Sequence, residues 1–74
     1  MANINDNVAQ SASQNTRIAA WLNNGNTITA LEALNRFGCM RLASRINDLR
    51  NRGMNIGMRK VTLPNGKTVA QYYI

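Results

Sequence analysis

The sequence predicts an α+β fold in which three helices are followed by a C-terminal β-hairpin. Apolar residues recur at helical spacing in three stretches before residue 53. Asn65-Gly66 sits between two alternating runs near the C-terminus, and Gly38 leaves only a three-residue corner between the second and third periodic stretches. Seventy-four residues allow one small domain, and an apolar fraction of 45% supplies one compact core for it.

Residues 1–12 are rich in Asn, Gln, Ser and Ala, with only isolated Ile4 and Val8. They are expected to form a flexible tail ahead of a domain spanning 13–74. The first helix is expected over about 14–24, capped by Ser11 with Gln14 or by Ser13 alone. Its apolar face is Ile18, Trp21 and Leu22, and "NNGN" at 23–26 stops it, because Gly and Asn tolerate the left-handed turn that ends a helix.

"ITALE" opens the second helix. Thr29 and Glu32 have capping-box spacing, each able to satisfy a free amide, and Ile28 stands where a hydrophobic staple begins. Leu31, Leu34 and Phe37 are expected to share its apolar face, while Glu32 and Arg36 form a favourable i, i+4 pair. Gly38 then breaks the helix.

The third helix is expected over about 39–52. Stepping along it gathers Cys39, Leu42, Ala43, Ile46 and Leu49 on one side, and Arg41, Ser44, Arg45, Asp48 and Arg52 on the other. Met40 and Asn51 flank the polar side. Gly53 fits the stop, with Leu49 and Met54 placed for the apolar contact of a Schellman end. No Ser, Thr, Asp or Asn stands at its start, so this helix lacks a side-chain cap.

"MRKVTL", "PNGK" and "TVAQYYI" read as a hairpin about Asn65-Gly66. Pairing outward from a two-residue turn sets Leu63 by Thr68, Val61 by Ala70 and Arg59 by Tyr72 on a face expected to cover the helices. Lys60 by Gln71 and Thr62 by Val69 fall on the solvated face. Tyr72 and Tyr73 alternate, so one should be buried and the other exposed. Three helices with a terminal hairpin make a winged helix-turn-helix, a winged helix.

The charge is unevenly placed. Net charge is +6; residues 1–35 hold Arg17 against Asp6 and Glu32, a balance of −1. From Arg36 to Lys67 the basic residues are Arg36, Arg41, Arg45, Arg50, Arg52, Arg59, Lys60 and Lys67 against Asp48 alone, a balance of +7. Such a field attracts a polyanion. One cysteine and no histidine exclude a disulfide framework within the chain and the usual zinc sites, so no cofactor or metal is expected. Cys39 reads as a small buried residue. With three acids and no histidine, no nucleophile and base pair can be assembled, and an enzyme is not expected. "MANINDNVAQSAS" lacks the features of a signal peptide, no membrane span is expected, and the third helix lacks large apolar residues to insert into a membrane surface. A cytoplasmic location follows.

"ITALEALNRFGCMRLASRINDLRNRGMNI", followed by a basic strand and "VAQYYI", resembles the small winged helix-turn-helix domains of bacteriophages and prophages. Those domains share an "LEAL…FG…RLA.RI.DLR..G..I" pattern, which here covers roughly residues 14–74. The resemblance implies DNA binding and a place on the nucleoid of a bacterial host.

The residues themselves point the same way. An α-helix fits the major groove of double-stranded DNA, and the N-terminal part of a recognition helix reaches base edges. Met40, Arg41, Ser44 and Arg45 occupy that part. Arg41 or Arg45 has the bidentate geometry for guanine, Ser44 can donate or accept, and Met40 suits a thymine methyl. Asn51 and Arg52 are expected to meet phosphate, with Asp48 orienting Arg45 or Arg52. Asn65 and Lys67 at the hairpin tip are expected at the backbone or minor groove, and Arg59 and Lys60 at the base of the wing. The expected function is that of a phage-encoded transcriptional regulator. A DNA-bending recombination or excision accessory factor is the alternative within the same chemistry, and a small protein that grips a host protein is the alternative from another class. So small a DNA interface calls for a homodimer or a cooperative partner, with the tail or the hairpin edge as candidate contacts.

Overall fold

A computed structural model describes the backbone of residues 2–74 and the side chains of residues 11–74. In chain order the elements are α1 (Ala2–Asn23), β1 (Ile28–Thr29), α2 (Ala30–Phe37), α3 (Leu42–Asn51), β2 (Gly57–Thr62) and β3 (Thr68–Tyr73). The expected α+β order of three helices and a hairpin is present, with one added strand.

The core gathers Ile18 and Leu22 from α1, Ile28 from β1, Ala33 from α2, Leu42, Ile46 and Leu49 from α3, and Cys39 and Ile56 from the connections. Trp21 and Phe37 close one side edge to face, their ring centroids 6.1 Å apart, and Tyr72 packs on the cluster from the sheet. Burial of these side chains is the main stabilising term for so short a chain.

Four local expectations are corrected. The first concerns α1, which starts at Ala2 rather than near residue 14. No proline or glycine interrupts residues 2–23, and Ser11 does not stop the helix as a cap because its hydroxyl accepts from Arg45 of α3. Met1 and the side chains of residues 2–10, within the expected tail, lie outside the described residues. The second is β1, which was not expected. Ile28 pairs with Tyr72 and Thr29 with Gln71, so β1 joins β3 in a sheet of order β1-β3-β2. Ile28 is fully buried and belongs to the core.

Thirdly, α2 keeps its expected cap but not its expected face. Glu32 N donates to Thr29 Oγ1 at 3.3 Å, and Thr29 N donates to Glu32 Oε1 at 3.0 Å. Ala33 and Phe37 turn inward, whereas Leu31 and Leu34 are 62% and 43% exposed. The small Ala33 side chain allows close approach of the helix to its neighbours, and that approach sets the rotation of α2.

The fourth correction is the hairpin register. The pairs are Arg59 with Gln71, Lys60 with Ala70, Val61 with Val69 and Thr62 with Thr68, one residue away from the expected set. Leu63 N donates to Lys67 O at 2.7 Å and Gly66 N to Leu63 O at 2.9 Å, so the loop is Pro64-Asn65-Gly66. Proline has no N–H for the ladder and its fixed φ suits the first loop position, while Gly66 takes the left-handed position at φ +86°. A slip of one residue exchanges faces between strands. Tyr72 keeps its expected side toward the core, now with Met58 opposite it, while Arg59 and Val61 move to the outer face with Gln71 and Val69. Gly57 lies opposite Tyr73, where an added Cβ would fall 2.6 Å from the ring. As expected, one tyrosine packs on the core and the other, Tyr73, is exposed.

Candidate nucleic-acid interface

The corner between α2 and α3 starts at Gly38, which holds φ +62°. Met40 projects from it at 84% exposure. Arg41 is the N-cap of α3, exposed, and its side chain makes no capping bond, in keeping with the missing cap in the sequence. At the other end Gly53 N donates to Arg50 O at 3.0 Å and Met54 N to Leu49 O at 3.1 Å, the paired bonds of a Schellman stop.

Leu42, Ile46 and Leu49 point α3 at the core. Directly across the helix, at about 100° per residue, lie Ser44, Asn47 and Asn51; the helix begins at Leu42 rather than near residue 39, so Met40 and Arg41 belong to the corner before it. This outward stripe is polar and uncharged. The arginines flank it. Ala43, expected on the apolar side, is exposed near its edge.

On the α1 flank, Arg45 has only 16% of its side chain exposed. Its Nε donates to Asp48 Oδ2 at 3.1 Å and its Nη1 to Ser11 Oγ at 2.8 Å. Asn15, 2% exposed, donates through Nδ2 to the same Asp48 oxygen at 3.2 Å. Among the described residues, its Oδ1 accepts no hydrogen bond. An open groove runs between α1 and α3 here, edged by Ser11, Asn15, Arg45, Asp48, Asn51 and Arg52. Asp48 thus orients Arg45, one of the two arginines it was expected to orient, and the network ties α3 to α1. Arg52 is exposed at the end of the groove.

The other flank is tied to the sheet. Arg50 donates from Nε and Nη2 to Ile56 O at 3.1 and 2.9 Å, and its guanidinium lies 5.9 Å from the centre of the Tyr72 ring. In the wing, Arg59 donates to Gln71 Oε1 at 2.9 Å and stacks 5.1 Å from the centre of Tyr73. Lys60 and Lys67 are exposed. Asn65 Oδ1 accepts from Lys67 N at 2.9 Å, so this side chain braces the loop.

Met40 and Arg41 are exposed in the corner and Asn51 and Arg52 at the end of α3, Ser44 is half-buried on its outward side, and Arg45 is set inward beside α1. Asn47 and Arg50 were not singled out in the sequence. Their signal was present: each falls outside the arc of Leu42, Ile46 and Leu49, but attention to charge alone passes over a neutral asparagine.

The corner between α2 and α3 and the β2-β3 hairpin agree with the family model that residues 13–74 match, described as a winged helix-turn-helix domain. The chain belongs to the winged helix-turn-helix family. No match is found among curated proteins or among solved structures. The winged helix-turn-helix is a fold typical of DNA binding rather than catalysis, and in it α2 and α3 form the helix-turn-helix and β2-β3 the wing. Among the described residues, no helix is long and apolar enough to cross a membrane.

Proposed function

We propose that the protein binds double-stranded DNA with α3 in the major groove, and that it acts as a phage-encoded transcriptional regulator on the host nucleoid. The observation that carries this reading is the neutral stripe of Ser44, Asn47 and Asn51 across from the core of α3, flanked by cations. Asparagine amides match the N6 and N7 edge of adenine, and a serine hydroxyl can donate or accept. Met40 stands where a thymine methyl would be met. Arg41 and Arg52 are proposed to meet phosphates beside the helix, and Lys60, Lys67 and Arg59 to do so along the wing, with Asn65 shaping its tip. Arg45, committed to Asp48 and Ser11, is proposed as a positioning residue that sets the tilt of α3.

Selection from a pool of random duplexes tests the reading. Enrichment of a defined motif, with affinity falling as salt rises, supports a site-specific regulator. Enrichment of flexible steps without base preference would instead assign the DNA-bending accessory role. Absence of binding at low salt would sink the DNA reading and favour a host-protein partner.

A further inference from the structure

Arg50, in the last turn of α3, donates from Nε and Nη2 to a single carbonyl, Ile56 O, at 3.1 and 2.9 Å. Its guanidinium also lies 5.9 Å from the centre of the Tyr72 ring. Ile56 is the residue before β2, and Tyr72 is near the end of β3, paired with Met58 of β2 and Ile28 of β1. One side chain thus meets both points where the wing leaves the body. We infer that Arg50 is a positioning residue that fixes the angle between α3 and the wing, and so decides whether Lys67 meets phosphate while α3 occupies the groove. The consequence rests on the DNA-binding reading; the clamp itself belongs to the free protein.

α3 does not need this guanidinium in order to end. Gly53 N and Met54 N already donate to the carbonyls of Arg50 and Leu49. The two bonds of Arg50 go to the connection instead, and the core gives the hairpin little other support. Of residues 57–74 only Tyr72 packs on the core cluster. β1 holds β3 through Ile28 with Tyr72 and Thr29 with Gln71, again at the base. The pairs from Lys60 with Ala70 outward lie beyond these ties.

Leverage sets the effect. β2 has six residues at about 3.3 Å each, so the wing tip lies roughly 20 Å from its base. A rotation of about 10° at the base moves the tip by about 3.5 Å, more than the length of a hydrogen bond. Lys67 then loses its phosphate although nothing near it has changed. A guanidinium resists such a rotation because two donors in one rigid plane grip the same carbonyl.

The test is a double-mutant cycle of Arg50→Met with Lys67→Ala. Methionine keeps an apolar stem and removes the donors. Thermal unfolding checks that each variant folds; Arg50→Lys, which keeps the charge and loses the fork, takes the place of Arg50→Met if that variant does not. In the wild type, Lys67→Ala should make the log–log salt slope shallower by about 0.9. In the Arg50 variant the same change should alter the slope by less than about 0.3, while the base preference of α3 matches that of the wild type. A full Lys67 contribution in the Arg50 variant would overturn the inference, as would a wild type whose slope Lys67→Ala leaves unchanged. Residual dipolar couplings of backbone amides test the clamp without DNA. In the wild type α3 and β2-β3 should fit one alignment, and in the Arg50 variant the hairpin should depart from it. A variant hairpin that still fits the α3 alignment refutes the clamp. A wild type that binds no duplex refutes the DNA reading and leaves the couplings to judge the clamp alone.

Discussion

Replacing Asn47 and Arg45 separately by alanine divides reading DNA from holding the helix that reads it. Asn47 is exposed on the outward stripe and takes part in no side-chain hydrogen bond among the described residues. Asn47→Ala should leave folding intact, since alanine is the better helix former. If its amide pairs bidentately with adenine, the change removes about 1–3 kcal/mol of discrimination, or about 5- to 150-fold, at one base pair. Arg45 is the opposite case. Its guanidinium makes bonds of 3.1 and 2.8 Å to Asp48 and Ser11, and its removal leaves Asp48 with Asn15 as its remaining partner. Charge-assisted bonds at a partly exposed site are worth about 1–2 kcal/mol in total after solvent screening. For a domain of this size that loss lowers Tm by about 4–16 °C. Binding should weaken on every sequence alike, because the helix tilts more freely. The assay is thermal unfolding of each variant, together with competition binding to the selected site and to its single-base substitutions. A loss of preference at one base in Arg45→Ala with an unchanged Tm would refute the assignment, as would an Asn47→Ala variant that reads every position normally.

Three further outcomes are expected. Gly57→Ala sets a Cβ about where the Tyr73 ring now lies, 2.6 Å from Cζ, and should cost about 1–3 kcal/mol by overpacking; calorimetry and the Tyr73 ring resonances report it. Arg41, Arg52, Arg59, Lys60 and Lys67 should give a log–log salt dependence of binding of about −4.5, and Lys67→Ala should make it shallower by about 0.9. A slope near zero would remove phosphate contact as the source of affinity. Thr29→Ala removes the hydroxyl that receives Glu32 N and should lower urea stability by about 0.5–2 kcal/mol without moving the DNA preference.

Legibility in the sequence followed the range of the interaction. The capping box of Thr29 and Glu32, the stops at Gly38 and Gly53, and the periodic spacing of Leu42, Ile46 and Leu49 are patterns within seven residues, and each was readable. The face of α2 was not, because Ala33 against Leu31 and Leu34 is decided by how closely other elements approach. β1 was hidden for the same reason: two residues leave no periodicity, and the partner of Ile28 is Tyr72, far along the chain. The register failed on one local choice, whether Asn65-Gly66 or Pro64-Asn65-Gly66 forms the loop. The proline decides it by lacking an N–H. In the candidate site the polar side of α3 was legible, but the inward commitment of Arg45 was not, since its partner Ser11 lies before the residue near 14 at which the first helix was expected to start.

The division among the cations explains why α3 carries so many arginines. Arg45 and Asp48 bind α3 to α1 through Ser11 and Asn15, and Arg50 binds it to the sheet through Ile56 O and Tyr72. α3 is therefore held from both sides by planar groups with several donors each, and a guanidinium is better suited to this than a flexible ammonium. Both lysines are in the wing, where a point charge on a mobile stem suffices to meet phosphate. A helix whose tilt is fixed before binding loses less freedom on entering a groove, and that saving appears as affinity. It also makes short side chains sufficient for reading: Ser44, Asn47 and Asn51 reach base edges only if the axis of α3 lies close and steady along the groove floor. In the proposed DNA complex the arginines in and beside α3 would supply rigidity and field, and the neutral residues between them the choice of sequence.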